Sequence, residues 1–476
     1  MTTRMRAAME CGDWLAAIAE AEAWLRRGGR DWRVTLNLAV CGCRARHGTA
    51  DHWLSQAEAA LQQSGHHRLA RLGAAEVHGA LGHWEQVLDL LSALECPQPW
   101  PSLQMRCEAL ARLGRASEAW AILDAWPPAR RDWRWRLALA DLHVQASQWS
   151  AAEAEYRAVL AERPLQGEVH QNLALVLLSQ RRCAEAWPHY EWRRSNPRLD
   201  QRGIPSPLPN LESLSCRTVV VRGEQGVGDQ IMTSRYLRAL AGACRSLIVE
   251  PAARLVELFR HNLPAQIVVE PPGCEWPDAV VIGMASLPML FWSELGCAAP
   301  GPMGYLKADP HKVDRWRSRL AALPRGLRLG VGWLGGVTGA ERRERALTSR
   351  DLRQLGSWPG VQWLDLQFLA QDQQHLADFS REAGIQRPGN PGFDLDDTLA
   401  LIQCLDGVVT TRQTVAHLTG ALGRPGQVLV PARPEWRYWG DENRWAWYPS
   451  MQLIRQERRG DWQAQLEGAA QQWLAP

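Results

Sequence analysis

The chain has 476 residues, 46% of them hydrophobic and 22% charged, with a formal net charge of +3. That length exceeds what one hydrophobic core organises and implies two or three domains. So small a net charge gives no reason to expect nucleic acid or an anionic membrane surface as a partner. The eleven cysteines are scattered, with no CxxC pair and no His/Cys cluster at zinc spacing, and read as free thiols in a reducing compartment. The first residues, MTTRMRAAMECGDWL, lack a signal-peptide core, and no apolar run is long enough to span a bilayer. A cytoplasmic location is therefore expected.

The first part of the chain repeats itself. GDWLAAIAEAEAWL (12–25), GHWEQVLDLLSAL (82–94), GRASEAWAILDAW (114–126), SQWSAAEAEYRAVL (147–160) and RRCAEAWPHYEWR (181–193) share one pattern. A small or polar turn leads into Ala and large apolar residues at helical spacing. From Trp84 to Ala116, Trp149 and Cys183 the steps are about 32 to 34 residues, the period of tetratricopeptide repeats. Many of the 25 tryptophans fall at repeating positions, which argues packing rather than ligand binding. A helical solenoid of five or six repeats is expected over residues 1–195. Its concave face either recruits a protein or peptide or serves as a spacer or dimerisation surface.

Residues 196–215 are rich in Pro and Ser and read as a linker that helices do not cross. Afterwards β-branched strands alternate with helical segments. TVVVRG, SLIVE, QIVVE and AVVIG form a first lobe over 216–310; LRLGVGWLG, VQWLDLQ, DGVVTT and GQVLVPA form a second over 326–476. Helices are expected near 229–242, 252–262, 348–356, 371–384, 396–405 and 414–422. This is parallel α/β grammar in two Rossmann-like units, whose ligands bind beyond the carboxyl ends of the strands.

Four strand ends carry candidate chemistry. The turn GEQGVGD holds Gly223, Gly226 and Gly228 in a spacing unlike a dinucleotide fingerprint, and delivers Asp229 either as a helix N-terminal acid or as a functional carboxylate. The loop after the fifth strand has Gly332, Gly335, Gly336 and Gly339 followed by Arg342, Arg343 and Arg345, either a solvated charge run or a grip for a diphosphate. DGVVTTRQTVAHL ends its strand on Thr410 and Thr411. Arg412, Gln413 and a helix start at Thr414 follow, an anion site in principle, with His417 one turn in and open to simple packing. PARPEWRYWGDENRWAWYPS (431–450) reads as an ordered loop whose aromatic residues either stack on a ligand or pin the loop to the scaffold. FDLDDTLALI invites a D-x-D metal reading, but Asp396 or Asp397 before an apolar periodic run is what a helix N-terminus wants, and no metal is expected there.

Taken in order, GEQGVGDQI with RYL, FDLDDTLALI, TVAHLTGALGRP and PEWRYW…WYPSMQLIRQ…GDW resemble the tetratricopeptide-containing glycosyltransferases related to the ADP-heptose:lipopolysaccharide heptosyltransferases, glycosyltransferase family 9. The repeat NLALVLLSQRRCAEAWPHYEWR is similar to the one that precedes the catalytic domain in that group, so the resemblance covers residues 165–465. It implies a GT-B fold and a metal-independent, inverting transfer from a nucleotide sugar, with no cofactor. It implies Asp229 as the base, and Arg345, Thr410, Thr411, Arg412, Gln413, Thr414 and His417 as the donor site. Gln225, Gly226, Gly228, Gly335, Trp436 and Arg437 become candidate donor or acceptor contacts. Where many members carry Asp-Thr this chain has Arg412-Gln413, which leaves the sugar open, whether acidic or not. The architecture points to a protein acceptor held by the repeats, such as flagellin or another surface protein. The alternatives are an inactive scaffold and a transferase acting on a lipopolysaccharide or capsule glycan.

Overall fold

The structure, a computed structural model, describes residues 3–45, 49–92, 94, 100–195, 208–296, 304–335, 346–369, 376–388, 394–432, 435–439, 443–458 and 460–474. These fall into two compact units. One holds the chain through Arg181 together with the segment at Trp192; the other holds Arg182–Glu191 and the described residues from 208 on. The last repeat helix, Cys183–Tyr190, thus belongs with the α/β unit, ahead of the boundary expected at 195.

The helical unit is an array of antiparallel helices closed by tight turns. The residue that reverses the chain takes a left-handed conformation at Gly82, Gly114, Ser147 and Arg181, at steps of 32, 33 and 34 residues. Glycine does this without strain; Ser147 and Arg181, at φ 56° and 62°, hold the same shape at a cost. Behind three of the turns a buried Ala stands four residues before a buried larger side chain, Ala119 with Leu123, Ala152 with Tyr156 and Ala186 with Tyr190, and Val87 with Leu91 takes the same places behind the first. That recurrence is the tetratricopeptide pattern, and it explains why Ala is so frequent here. Among the described residues no helix is long and apolar enough to cross a membrane.

The α/β unit contains two sheets. The first orders its strands β3-β2-β1-β4, all parallel, with β1 Thr218–Arg222, β2 Ser246–Glu250, β3 Ile267–Val269 and β4 Val280–Gly283. Its register sets Arg222 opposite Glu250, and the two buried side chains pair at 2.9 Å. The second runs β6-β5-β7-β8-β10-β9, with β5 Leu327–Gly332, β6 Val361–Asp365, β7 Gly407–Thr411, β8 Gly426–Val430, β9 Arg444–Trp445 and β10 Tyr448–Arg455. Only the β9–β10 pairing is antiparallel among those described. Helix Pro310–Leu320 joins the lobes; Asp309 caps it, and Pro310 takes the first position, where its missing N–H costs nothing. The helical array followed by two Rossmann-like lobes matches the class expected from the sequence.

The aromatic run 431–450 departs from the expected loop. Its end forms β9 and the start of β10, and Trp436, Tyr438, Trp445, Trp447 and Tyr448 are all buried. Four tryptophans close a ring: Trp187–Trp292 at 5.4 Å, Trp292–Trp447 at 6.1 Å, Trp447–Trp436 at 6.2 Å and Trp436–Trp187 at 6.0 Å between centroids. Their tilted and edge-on packing is the favoured geometry for such rings. The ring ties helix Cys183–Tyr190 to helix Leu287–Leu295 and to both halves of the aromatic run. Trp187→Ala is expected to destabilise the α/β unit by about 3–5 kcal/mol, read from the denaturant midpoint. A loss below about 1 kcal/mol, the scale of a surface substitution, contradicts a packing role for the ring.

Candidate functional site

β1 ends in a turn that feeds helix Val227–Thr233. Its left-handed residue is Gln225, at φ 64°, rather than one of the glycines. Gly226 is the N-cap, and Asp229 at the third helical position accepts from its N–H through Oδ2 at 3.3 Å. Asp229 is thus a helix N-terminal acid, and it is also more than that. Its Oδ1 accepts from Nε of Arg437, which the second lobe supplies from the aromatic run.

Gly228 allows this approach. A Cβ there would lie 2.6 Å from Cδ2 of His417, so the helix packs directly onto helix Thr414–Leu422. Tyr305 adds to the same seam, its hydroxyl donating to Ile231 O at 2.7 Å and its N–H to Ala421 O at 2.7 Å. Arg235, fully buried, donates to Trp447 O at 2.9 Å and lies about 5 Å from the ring centres of Tyr305, Trp447 and Tyr448.

From Asp229 the charges alternate. Burial disfavours the Arg437 cation, but the carboxylate of Asp229 more than offsets this, and its pKa is raised. Arg437 Nη1 lies 3.5 Å from Glu435 Oε2, and Arg412 Nη1 lies 3.5 Å from Glu435 Oε1. Two carboxylates and two guanidiniums form one neutral row, Asp229–Arg437–Glu435–Arg412. Arg437 also sits over the Trp436 ring at 4.7 Å, and Arg412 is 5.7 Å from the Tyr438 ring centre.

The other candidates divide. Thr410 and Thr411 are fully buried in β7; the Thr410 hydroxyl donates to Thr411 O at 3.1 Å. Gln413, the N-cap of helix Thr414–Leu422, makes no side-chain capping bond and donates to Gln367 Oε1 at 3.1 Å instead. That oxygen also accepts from the N–H groups of Trp333 and Leu334 at 3.2 and 2.8 Å, so one amide ties the ends of β5, β6 and β7 together. Thr414 is half-buried at the helix start, and Gly335 is buried just past β5. His417 is packed rather than presented, its Nδ1 3.1 Å from the Tyr448 hydroxyl. Arg345 lies outside the described residues, as do Arg342, Arg343, Gly336 and Gly339. The sequence reading missed Glu435, although its place between Arg433 and Arg437 signals alternating charge, and it missed Gln367, which nothing in its neighbourhood marks.

FDLDDTLALI behaves as a helix start, with one correction. Asp394, not Asp396 or Asp397, is the N-cap, accepting from both their N–H groups. Asp396 instead points back toward the joining helix, where His261, Asp309 and Asp396 offer ligand atoms within 4.8 Å of one another. The Lys312 ammonium, 2.8 Å from Asp396 and 2.9 Å from Asp394, already supplies the positive charge at that point.

No protein-family profile matches the chain. It is 27% identical over 318 residues to Protein FlbA of Caulobacter vibrioides, an alignment covering 61% of this chain and 52% of that protein. The chain therefore spans about half the length of that curated relative. Among solved structures it is similar to a glycosyltransferase family 9 protein from Veillonella parvula, 12% identical over 51% of this chain and 87% of that one, TM-score 0.37. It is also similar to ADP-heptose LPS heptosyltransferase II from E. coli, 12% identical over 53% and 98%, TM-score 0.36. A third likeness is to a tetratricopeptide repeat protein from Parabacteroides merdae, 19% identical over 40% and 76%, TM-score 0.32.

Burial pushes the His417 imidazole from its ordinary 6.5 down to about 4. Because the folded value is the lower one, its contribution to stability is complete above pH 6.5 and drains away as pH falls toward 4. Wild type is expected to lose about 3 kcal/mol more than His417→Gln across that window, measured by denaturation at stepped pH. Parallel losses in the two proteins contradict a buried neutral imidazole.

Proposed function

We propose that this chain is a glycosyltransferase that moves a sugar from a nucleotide-sugar donor to an acceptor hydroxyl, with Asp229 as general base. The observation that carries the reading is the position of that carboxylate. It stands at the end of β1, on the first lobe, against Arg437 of the facing lobe and close to the start of helix Thr414–Leu422. A base and a set of cations on opposite sides of one seam are the two halves of a sugar transfer.

In the proposed reaction Asp229 takes the proton from the acceptor hydroxyl as its oxygen bonds to the anomeric carbon. The bond from that carbon to the diphosphate breaks, and its electron pair leaves with the phosphate oxygen. Arg412, Arg437 and N–H groups at the helix start stabilise the charge that develops there. One carboxylate acting in one displacement gives inversion. Side chains supply positive charge on the leaving-group side, so this part of the chemistry calls for no metal. In the structure Arg412 is buried beside Glu435, Nη1 3.5 Å from Oε1.

The proposed acceptor is a protein bound by the tetratricopeptide array, since such arrays present extended concave faces to polypeptides. Coexpression of a candidate acceptor such as flagellin with wild type or Asp229→Asn, followed by intact-mass measurement, tests both parts. Loss of the base is expected to slow transfer by about 10²–10⁴-fold. Equal glycosylation with the two proteins removes Asp229 from its role.

One observation favours a second reading, an inactive scaffold. Both carboxylate oxygens of Asp229 are engaged, and Gly228 lies against His417 with no room between. Thermal shift against a panel of nucleoside diphosphates separates the readings. A transferase is expected to gain about 2.7 kcal/mol from a cognate nucleotide at a hundred times its Kd. No shift with any nucleotide favours the scaffold.

A further inference from the structure

The joining helix begins among ionisable groups drawn from both lobes. His261 lies in the last turn of helix Val256–Asn262 of the first lobe, Asp309 is the N-cap of helix Pro310–Leu320, and Asp396 lies in the first turn of helix Leu395–Gln403 of the second lobe. Each offers one ligand atom, and the three atoms lie within 4.8 Å of one another. His261 Nδ1 and Asp396 Oδ2 are 3.5 Å apart. That is long for a charge-assisted hydrogen bond, which runs about 2.7–2.9 Å. Two atoms held at about 2.0–2.2 Å by one tetrahedral ion stand about 3.4 Å apart, so this pair already has the spacing of neighbouring metal ligands.

Asp396 is itself incompletely met. Its side chain is 3% exposed, and Oδ1 is buried with no hydrogen-bond partner among the described residues. Buried polar atoms nearly always have one. Charge points the same way. The His311 N–H bonded to Asp309 holds that carboxyl below its usual range, so it is ionised. Asp309, Asp394 and Asp396 bring three negative charges, and the Lys312 ammonium, 2.9 Å from Asp394 and 2.8 Å from Asp396, meets one of them. Asp397 is served separately, by Arg315 at 3.5 Å and Trp316 Nε1 at 3.0 Å. Two negative charges are left over, as many as one divalent cation neutralises.

We propose that His261, Asp309 and Asp396 bind one divalent transition-metal ion of the zinc type, which clamps both lobes to the helix that joins them. The imidazole selects against magnesium and calcium, which take oxygen ligands, and three protein ligands leave a fourth tetrahedral position for water. His261, 45% exposed, gives the ion its way in, and Lys312 moves onto Asp394 alone as the ion takes Asp396. This is not the D-x-D pattern of the sequence, since Asp394 caps its own helix and the other ligands come from elsewhere in the chain. None of the three belongs to the row of charges at Asp229, so the site stands apart from the transferase reading.

The test is zinc affinity in the full chain, stripped of metal with EDTA and dialysed free of chelator. Zinc chloride, with magnesium chloride as the control, is titrated calorimetrically into wild type, His261→Ala, Lys312→Gln and His52→Ala, the last removing an exposed histidine of the helical array. Folding of each variant is checked by circular dichroism. His261→Ala is expected to weaken the tightest zinc site by about a hundredfold, and His52→Ala to leave it unchanged. Lys312→Gln removes the competing ammonium and is expected to tighten zinc by about tenfold, a gain that misfolding does not imitate. Zinc is also expected to raise the melting temperature of wild type and not that of His261→Ala. Equal zinc binding by wild type and His261→Ala overturns the site, because the ion is then held elsewhere, at a thiol or another histidine. So does a wild type that binds no zinc, magnesium bound as tightly as zinc, or zinc binding that Lys312→Gln weakens or leaves unchanged. The transferase reading survives each of these outcomes.

Discussion

The α/β unit is organised around a contact made 208 residues apart in sequence, the pairing of Asp229 with Arg437. Neither side chain has much access to water, at 20% and 17% exposure, so each is held to the other by the cost of leaving a charge unpaired. The contact needs the two lobes to meet closely, and glycine at position 228 permits it by giving the His417 ring the space a Cβ would occupy. It also needs Arg437 held still. Trp436 beside it is locked into the tryptophan ring, and the Arg437 carbonyl accepts from Trp445 Nε1 at 2.6 Å.

Stability alone does not account for such a row of charges. A buried ionic network is often no better than well-packed apolar residues of the same volume, and sometimes worse by a few kcal/mol. The surrounding seam is built largely from Trp, Tyr and Leu, so the fold had apolar means of joining its lobes here. What the charges provide is a fixed arrangement of two carboxylates and two guanidiniums beyond the strand ends, where α/β proteins bind their ligands. The tryptophan ring extends that arrangement to helix Cys183–Tyr190, so the last element of the repeat pattern is packed into the unit that carries the site.

Much of the fold is legible in the sequence because its signals are local. Turn residues at 82, 114, 147 and 181 repeat with the chain, and the eight parallel strands expected from β-branched runs all form. The helix starting at Thr414 falls where Gln413-Thr414 places it. What is not legible depends on distant partners. β10 alternates only loosely, its aromatic start reads as loop, and its place is set by pairing with β8. Trp436 and Trp447 of the run pack against Trp187 and Trp292, far away in sequence. Asp229 is visible as an acid after a glycine turn, but its partner is not, because nothing near it names Arg437. Asp394 rather than Asp396 or Asp397 caps its helix, which starts at Leu395 and so takes both of those residues into its first turn.

The most direct test of this account is a double-mutant cycle on Asp229→Asn and Arg437→Gln, with stability measured by denaturation at constant pH. Close charge pairs in low-exposure seams couple by about 1.5 kcal/mol or more, and a value of that size is what the structure predicts. Additive effects, with a coupling of about zero within the usual few tenths of a kcal/mol, would mean that the two lobes are not joined through this pair.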